Sequence, residues 1–365
     1  MAMVTDPSII SKPAYYLIIL LTLSLGFFPA LAQTSMICIG LLLVIDLIHQ
    51  KTFVAIRQPL LQEIGVFAAL ILVSFIADMI SGNSDDYPFF IFSLAAYFFG
   101  AIYAYSDDRR RIILWSIIIG AVIASCLKLI GHLNLGFNTF VDKISIESDL
   151  EALNTISLCV IISLFSYSRL WAERICLLLM SLPAFLILLY SNELILILMI
   201  LVLIIIMGVI KSKALWLFIL LIALIFAVTP VGGYGDLYRN LIDEIKGPFL
   251  TAGDNLALLE SVSYFGVLDS ISSRQLNILE QWPFAFRLIL FYGPLSFLIF
   301  IWIFYTQIRR YIGRLRLSST DQNGAYQYAG FLISLLILTA CFYSESFELF
   351  PAGVLTCLIW GITES

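Results

Sequence analysis

The sequence predicts an all-α integral membrane protein of about twelve transmembrane helices, with one large periplasmic loop containing short amphipathic helices. Three observations predict it. Of its 365 residues, 61% are hydrophobic and only 12% are charged, whereas an ordinary soluble domain has roughly 45–50% apolar and about 25% charged residues. The apolar residues recur in runs close to the roughly 17–25 that cross a bilayer as a helix. The connections between runs alternate between basic and acidic. Together these exclude a soluble enzyme, a secreted disulfide scaffold and a disordered chain. The net charge of -5 is small, and it argues against a nucleic-acid partner, which calls for a basic face.

In chain order the predicted spans are Tyr15–Leu31, Thr34–Ile48, Ile64–Ile80, Phe89–Tyr105, Ile112–Ile130 and Leu153–Tyr167. They continue with Ile175–Tyr190, Leu194–Ile210, Ala214–Pro230, Phe284–Tyr305, Ala329–Tyr343 and Phe350–Ile362. Each must be helical, because hydrocarbon offers no partner to a free backbone N–H or C=O. Lys12, the first apolar run and Ala30-Leu31-Ala32 resemble a signal peptide. A second apolar run follows almost at once, which suits a retained hairpin better.

Lys and Arg collect in cytoplasmic loops. With the N-terminus inside, the inner segments hold Lys12, Lys51, Arg57, Arg109, Arg110, Arg111, Arg169, Arg174, Lys211, Lys213, Arg309, Arg310, Arg314 and Arg316, which is 14 of the 20 basic residues. The outer segments are mainly acidic: Asp85, Asp86, Asp142, Glu147, Asp149, Glu151, Glu193, Glu345 and Glu348. The expected product is one polytopic domain, residues 1–365, in a bacterial inner membrane with both termini cytoplasmic. The six cysteines all fall inside spans, so they read as small packing residues rather than a disulfide framework. There is no metal-ligand spacing and no Gly-rich phosphate loop, so no cofactor is expected.

Two outer connections are long, 131–152 and 231–283. The second patterns as short amphipathic helices on the membrane face. Leu237, Leu241 and Ile245 form a helical stripe that Gly247-Pro248 stops. Asp254 caps a second helix, and Ser272 with Gln275 fits a capping box for a third. Pro283 marks the expected kink into the tenth span.

Basic residues on the acidic side each need a reason. They are Lys128, Lys143, Arg239, Lys246, Arg274 and Arg287. A planar guanidinium suits bidentate grip on phosphate, which makes Arg239, Arg274 and Arg287 the candidate catalytic residues. Lys128, Lys143, Lys246 and Glu280 are the candidate substrate-binding residues. The plainer accounts are an i,i+4 pair with Asp243 for Arg239, a solvated residue for Arg274, snorkelling for Arg287, and an ion pair of Lys128 with Asp78 or Glu193. Asp46 is expected at the inner interface.

The layout, and several segments within it, resemble the bacterial O-antigen polymerase and ligase superfamily of membrane glycosyltransferases. The segments are Glu151-Ala-Leu-Asn154, Tyr190-Ser-Asn-Glu193, Arg239 with Gly247-Pro248-Phe249, Arg274-Gln-Leu-Asn-Ile-Leu279, and Tyr292-Gly-Pro-Leu295. The ligase-type histidine is absent, with Ser273 or Arg274 in its place, and Asn192 or Glu193 stands where an arginine follows the seventh span. These departures favour polymerase over ligase.

The resemblance implies a polyprenyl-diphosphate-linked glycan as substrate, the bilayer as its setting and a chain-length regulator as a candidate partner. A sugar hydroxyl attacks the anomeric carbon and the lipid diphosphate leaves, without metal if arginines neutralise it. Asp254, Asp269 and Glu280 are candidates for the proton acceptor. An O-antigen ligase, and a secondary transporter or lipid-linked glycan flippase with midplane polar sites, are the alternatives.

Overall fold

Leu150–Tyr167 has no polar face, and every residue from Leu150 to Phe165 is buried. A helix buried all round belongs at the centre of a bundle, and Asp107–His132, Trp171–Tyr190, Leu194–Ile210, Gln322–Ala340 and Phe350–Glu364 pack against this one. The computed structural model describes residues 10–50, 60, 62–69, 88–132, 150–191, 194–210, 213–228, 284–317, 322–342 and 350–364. Among them no strand occurs.

In chain order the helices are α1 (Ser11–Ser24), α2 (Pro29–Gln50), α3 (residues 62–69), α4 (Pro88–Tyr103), α5 (Asp107–His132) and α6 (Leu150–Tyr167). They continue as α7 (Trp171–Tyr190), α8 (Leu194–Ile210), α9 (Trp216–Val228), α10 (Phe284–Leu317), α11 (Gln322–Ala340) and α12 (Phe350–Glu364). Among the described residues, four stretches are long and apolar enough to cross a membrane: Pro29–Asp46, Asp107–Gly131, Leu150–Tyr167 and Trp171–Tyr190. Shorter apolar helices lie at Ser93–Tyr103, Ile195–Ile205, Gly324–Ala340 and Ala352–Glu364. The protein is therefore an α-helical protein of membrane type. All six cysteines are free.

Several boundaries differ from the apolar runs, for local reasons. The first helix stops at Ser24, because Pro29 restarts the chain as the first residue of α2, a position where its missing N–H costs nothing. Ala30-Leu31-Ala32 thus lies in the first turn of α2. In α10 the break comes at Gly293, φ 82° and ψ 164°, just before Pro294. That backbone conformation requires glycine. The expected kink at Pro283 lies outside the described residues. Helices α5 and α6 extend into the segment read as 131–152, leaving 133–149 between them. Asp46, near the end of α2, is buried.

Small residues set the closest crossings. In α5, Ser116, Gly120 and Ala124 recur every fourth residue. A Cβ on Gly120 would stand 2.7 Å from the carbonyl oxygens of Thr22 and Leu23 in α1. Thr22 Oγ1 and Ser116 Oγ hydrogen-bond across the same crossing at 2.5 Å. In α4 and α12 the corresponding series are Ala96, Gly100 and Gly353, Cys357, Gly361. Ser93 faces Gly353, and Gly100 faces the Leu358–Ile362 backbone, so these two helices run parallel. Lipid supplies no hydrophobic force between helices, so close backbone approach through small residues is what holds such pairs together.

Candidate functional site

The bundle has two polar ends of different character. At one, arginines cap helix termini. Ser106 precedes α5, and its Oγ accepts the Arg109 backbone N–H at 3.3 Å. Asp107 and Asp108 occupy the first turn, where the helix dipole favours acids.

The Arg109 guanidinium lies between the rings of Tyr15 and Tyr105, 4.7 and 4.3 Å from their centroids. It donates to the carbonyls of Tyr103 at 3.2 Å and Ser11 at 3.5 Å. Arg110 donates to the Ala104 carbonyl at 3.0 Å. Arg111 pairs with Glu173 at 2.7 Å, and Arg174 donates to the Ser168 carbonyl at 3.0 Å. Arg314 and Gln327 both donate to the Thr363 carbonyl, at 3.0 and 2.8 Å, and Arg314 also meets Glu364 at 2.7 Å. This end therefore gathers the N-termini of α1, α5, α7 and α11 with the C-termini of α4, α6, α10 and α12. Arg109, Arg110, Arg174 and Arg314 thus hold carbonyls at the negative ends of helix dipoles, and Arg111 ties α5 to α7.

The opposite end holds a different arrangement. Lys128, near the end of α5, directs Nζ to Glu151 Oε1 at 3.1 Å. Glu151 is the second residue of α6. Ser191, the C-cap of α7, donates its Oγ to the same oxygen at 2.6 Å. One turn deeper, Ser125 of α5 donates to Asn154 Oδ1 of α6 at 2.7 Å. The two rungs, 125 to 154 and 128 to 151, follow from i,i+3 spacing on antiparallel helices. Ser125 and Asn154 are fully buried. Among the described residues, Asn154 Nδ2 has no hydrogen-bond partner. The side chains of Lys128 and Glu151 are 25% and 10% exposed.

Lys128 is thus the sequence-predicted site residue whose contacts are described, and its partner among the described residues is Glu151; Asp78 and Glu193, the partners expected from the sequence, lie outside them. The reason is where α6 begins. The apolar run starts at Leu153, which left Glu151 in the loop, whereas the helix starts at Leu150 and carries Glu151 into the bundle. Arg239, Arg274, Lys143, Lys246 and Glu280 lie outside the described residues. Arg287 lies on α10, and its side chain is outside the described set. The structure brings Lys128 together with parts of two segments that carried the resemblance, Glu151 with Asn154 and Ser191. Asn154, Ser125 and Ser191 were not read as site residues. The available signal was Asn154 at i+3 from Glu151, on a helix otherwise lacking polar side chains of that size.

No protein-family model matches the chain, and a search of curated proteins returns no significant match.

Proposed function

We propose that the chain is a metal-independent membrane glycosyltransferase that polymerises polyprenyl-diphosphate-linked repeat units into a surface polysaccharide. In this reading it crosses a bacterial inner membrane twelve times with both termini cytoplasmic. The arginine-capped end faces the cytoplasm, as the bias of Lys and Arg toward that side requires.

The observation that carries the reading is the partly buried Lys128–Glu151–Ser191 constellation at the end opposite the arginines. An intramembrane ionisable group marks a functional site by default, and this one lies where segment 133–149 leaves α5 and enters α6. Segment 229–283 rejoins the bundle at that end as well, since the Ala285 N–H donates to the Cys341 carbonyl at 2.9 Å, placing the start of α10 beside the end of α11. Arg239, Arg274 and Arg287 then neutralise the diphosphate as the anomeric bond breaks, which is electrostatic stabilisation of developing charge.

Deletion of the gene in the native host tests the class. Loss of a polymerase leaves acceptor carrying a single repeat. Loss of a ligase or flippase leaves acceptor without glycan. The same ion pair is also the observation that favours the flippase reading, and acceptor without glycan would decide for it if lipid-linked repeats remain on the cytoplasmic side.

A further inference from the structure

We infer that Glu151 takes the proton from the attacking sugar hydroxyl, and that Lys128 is its counter-ion, freed toward the leaving diphosphate by that same proton transfer. The inference rests on the glycosyltransferase reading above.

The geometry is that of a held carboxylate with one open edge. Lys128 Nζ and Ser191 Oγ both contact Oε1, at 3.1 and 2.6 Å. Oε2 has no partner among the described residues. A carboxylate fixed through one oxygen presents the other in a defined direction, which is what a general base needs to meet a hydroxyl. Its side chain is 10% exposed, so the carboxylate is largely enclosed by the bundle while that edge can be approached from outside. Thr155 Oγ1 donates to the Glu151 carbonyl at 2.6 Å, fixing the backbone beneath it. On the same helix face, fully buried Asn154 is anchored through Oδ1 by Ser125, and its Nδ2 donor is left unfilled. Buried donors are rarely left unmade, so this one points to an oxygen that arrives with a ligand or a bound water.

Charge accounting links the two residues. At rest the pair is neutral. In the transfer, the anomeric carbon's bond to the diphosphate oxygen breaks and its bond to the attacking oxygen forms. The hydroxyl proton passes to Glu151, and the bonding electron pair leaves with the diphosphate. Glu151 loses its charge at the moment the diphosphate gains one, and the uncompensated Lys128 ammonium then faces the new anion. The total charge of pair and substrates is unchanged throughout.

A pair that serves only to hold α5 against α6 gives the opposite mutational pattern. Plasmid copies carrying Glu151→Gln, Lys128→Gln, both together, or Glu151→Asp are expressed in the deletion host. Membrane level and glycan ladder are read for each. Glu151→Gln keeps the shape and an acceptor oxygen for Lys128 and Ser191. The expected result is protein at normal level, with polymerisation reduced by about 10²–10⁴-fold, the usual share of a general base. The double variant is expected to be no more active than Glu151→Gln, and Glu151→Asp to keep part of the ladder.

A structural pair predicts loss of protein from each single variant and return of both protein and ladder in the double, where no charge is left unpaired. That return overturns the inference. So does a double variant that fails to accumulate, since it assigns the pair to folding. Full ladders from Glu151→Gln in a host whose deletion leaves single repeats sink the inference alone. A deletion that leaves acceptor without glycan, or leaves ladders intact, sinks the glycosyltransferase reading itself.

Discussion

Gly100 of α4 and Gly361 of α12 stand against each other's backbones: a Cβ on Gly100 would run into the Leu358 carbonyl, and one on Gly361 into the Tyr97 carbonyl. Neither obstacle is a flexible side chain, so neither can give way. The last helix of the chain is thereby locked to the fourth. Trp360 is carried into the core, where its Nε1 donates to Ser334 Oγ at 2.9 Å and its ring meets Phe304 edge-on at 4.9 Å.

Gly100→Val and Gly361→Val are therefore expected to separate α4 from α12. Overpacking a tight contact costs about 1–3 kcal/mol, more where backbone blocks the new atoms. Size-exclusion profiles and melting temperatures of detergent-solubilised protein check this, with loss of the monodisperse peak expected for both. Gly313 of α10 is the control, because nothing lies within 4 Å of a Cβ there. Gly313→Ala should hold or raise the melting temperature, since alanine improves a helix interior by up to about 1 kcal/mol.

The anchoring of the end of α12 gives a second prediction. The Glu364 side chain is 0% exposed, and its Oε2 pairs with Arg314 at 2.7 Å. Arg314 also caps the Thr363 carbonyl. Arg314→Met strands a buried carboxylate and is expected to destabilise by about 3–5 kcal/mol, the cost of removing one partner from a buried pair. Arg314→Met with Glu364→Gln should recover most of that loss. Thermal denaturation of the four proteins, read as a double-mutant cycle, measures it. A double variant as unstable as the single would show that the cap on Thr363, rather than the ion pair, is what matters.

Helix positions were legible because a bilayer demands long uninterrupted apolar runs, and such runs are visible in one sequence. Leu194–Ile210 has the same bounds as a run and as a helix. Polar residues at helix ends were not legible in the same way. Helix α11 begins at Gln322, well before the apolar run at Ala329, because Tyr326 and Gln327 are inside the bundle, donating to the carbonyls of Asp107 and Thr363. Glu151 was misplaced for the same reason: hydropathy counts it as loop, while Lys128 and Ser191 make it a buried helical residue. Pairing across helices is a three-dimensional fact that a one-dimensional pattern does not contain. The small-residue series at Ser116, Gly120 and Ala124 could have been read, since spacing alone identifies it. The loop arginines rest on the sequence alone.

Sidedness can be read chemically. In a background with all six cysteines replaced, Lys143→Cys in segment 133–149 should react with a membrane-impermeant maleimide on intact spheroplasts. Arg169→Cys, between α6 and α7 at the arginine-capped end, should react only after the membrane is opened. The reverse pattern would turn the whole bundle over and place the Lys128–Glu151 pair on the cytoplasmic side, where polyprenyl-linked repeats are assembled rather than joined.

The arginines of the long connection carry the last prediction. If Arg239, Arg274 and Arg287 grip the diphosphate, each removes charge that builds up only as the anomeric bond breaks. Deleting one donor of that kind costs about 2.7–4 kcal/mol, or roughly 10²–10³ in rate. Arg→Ala at each position should then shorten the glycan ladder without lowering the amount of protein in the membrane. Arg→Lys should recover part of the loss, because the charge returns without the bidentate fork. A residue that only solvates the loop surface contributes within about 0.5 kcal/mol, and its alanine variant keeps the full ladder. Ladders of normal length from all three alanine variants would leave Lys128 as the cation available to the leaving group. Lys128→Gln would then have to abolish the ladder, a result visible on the same gel.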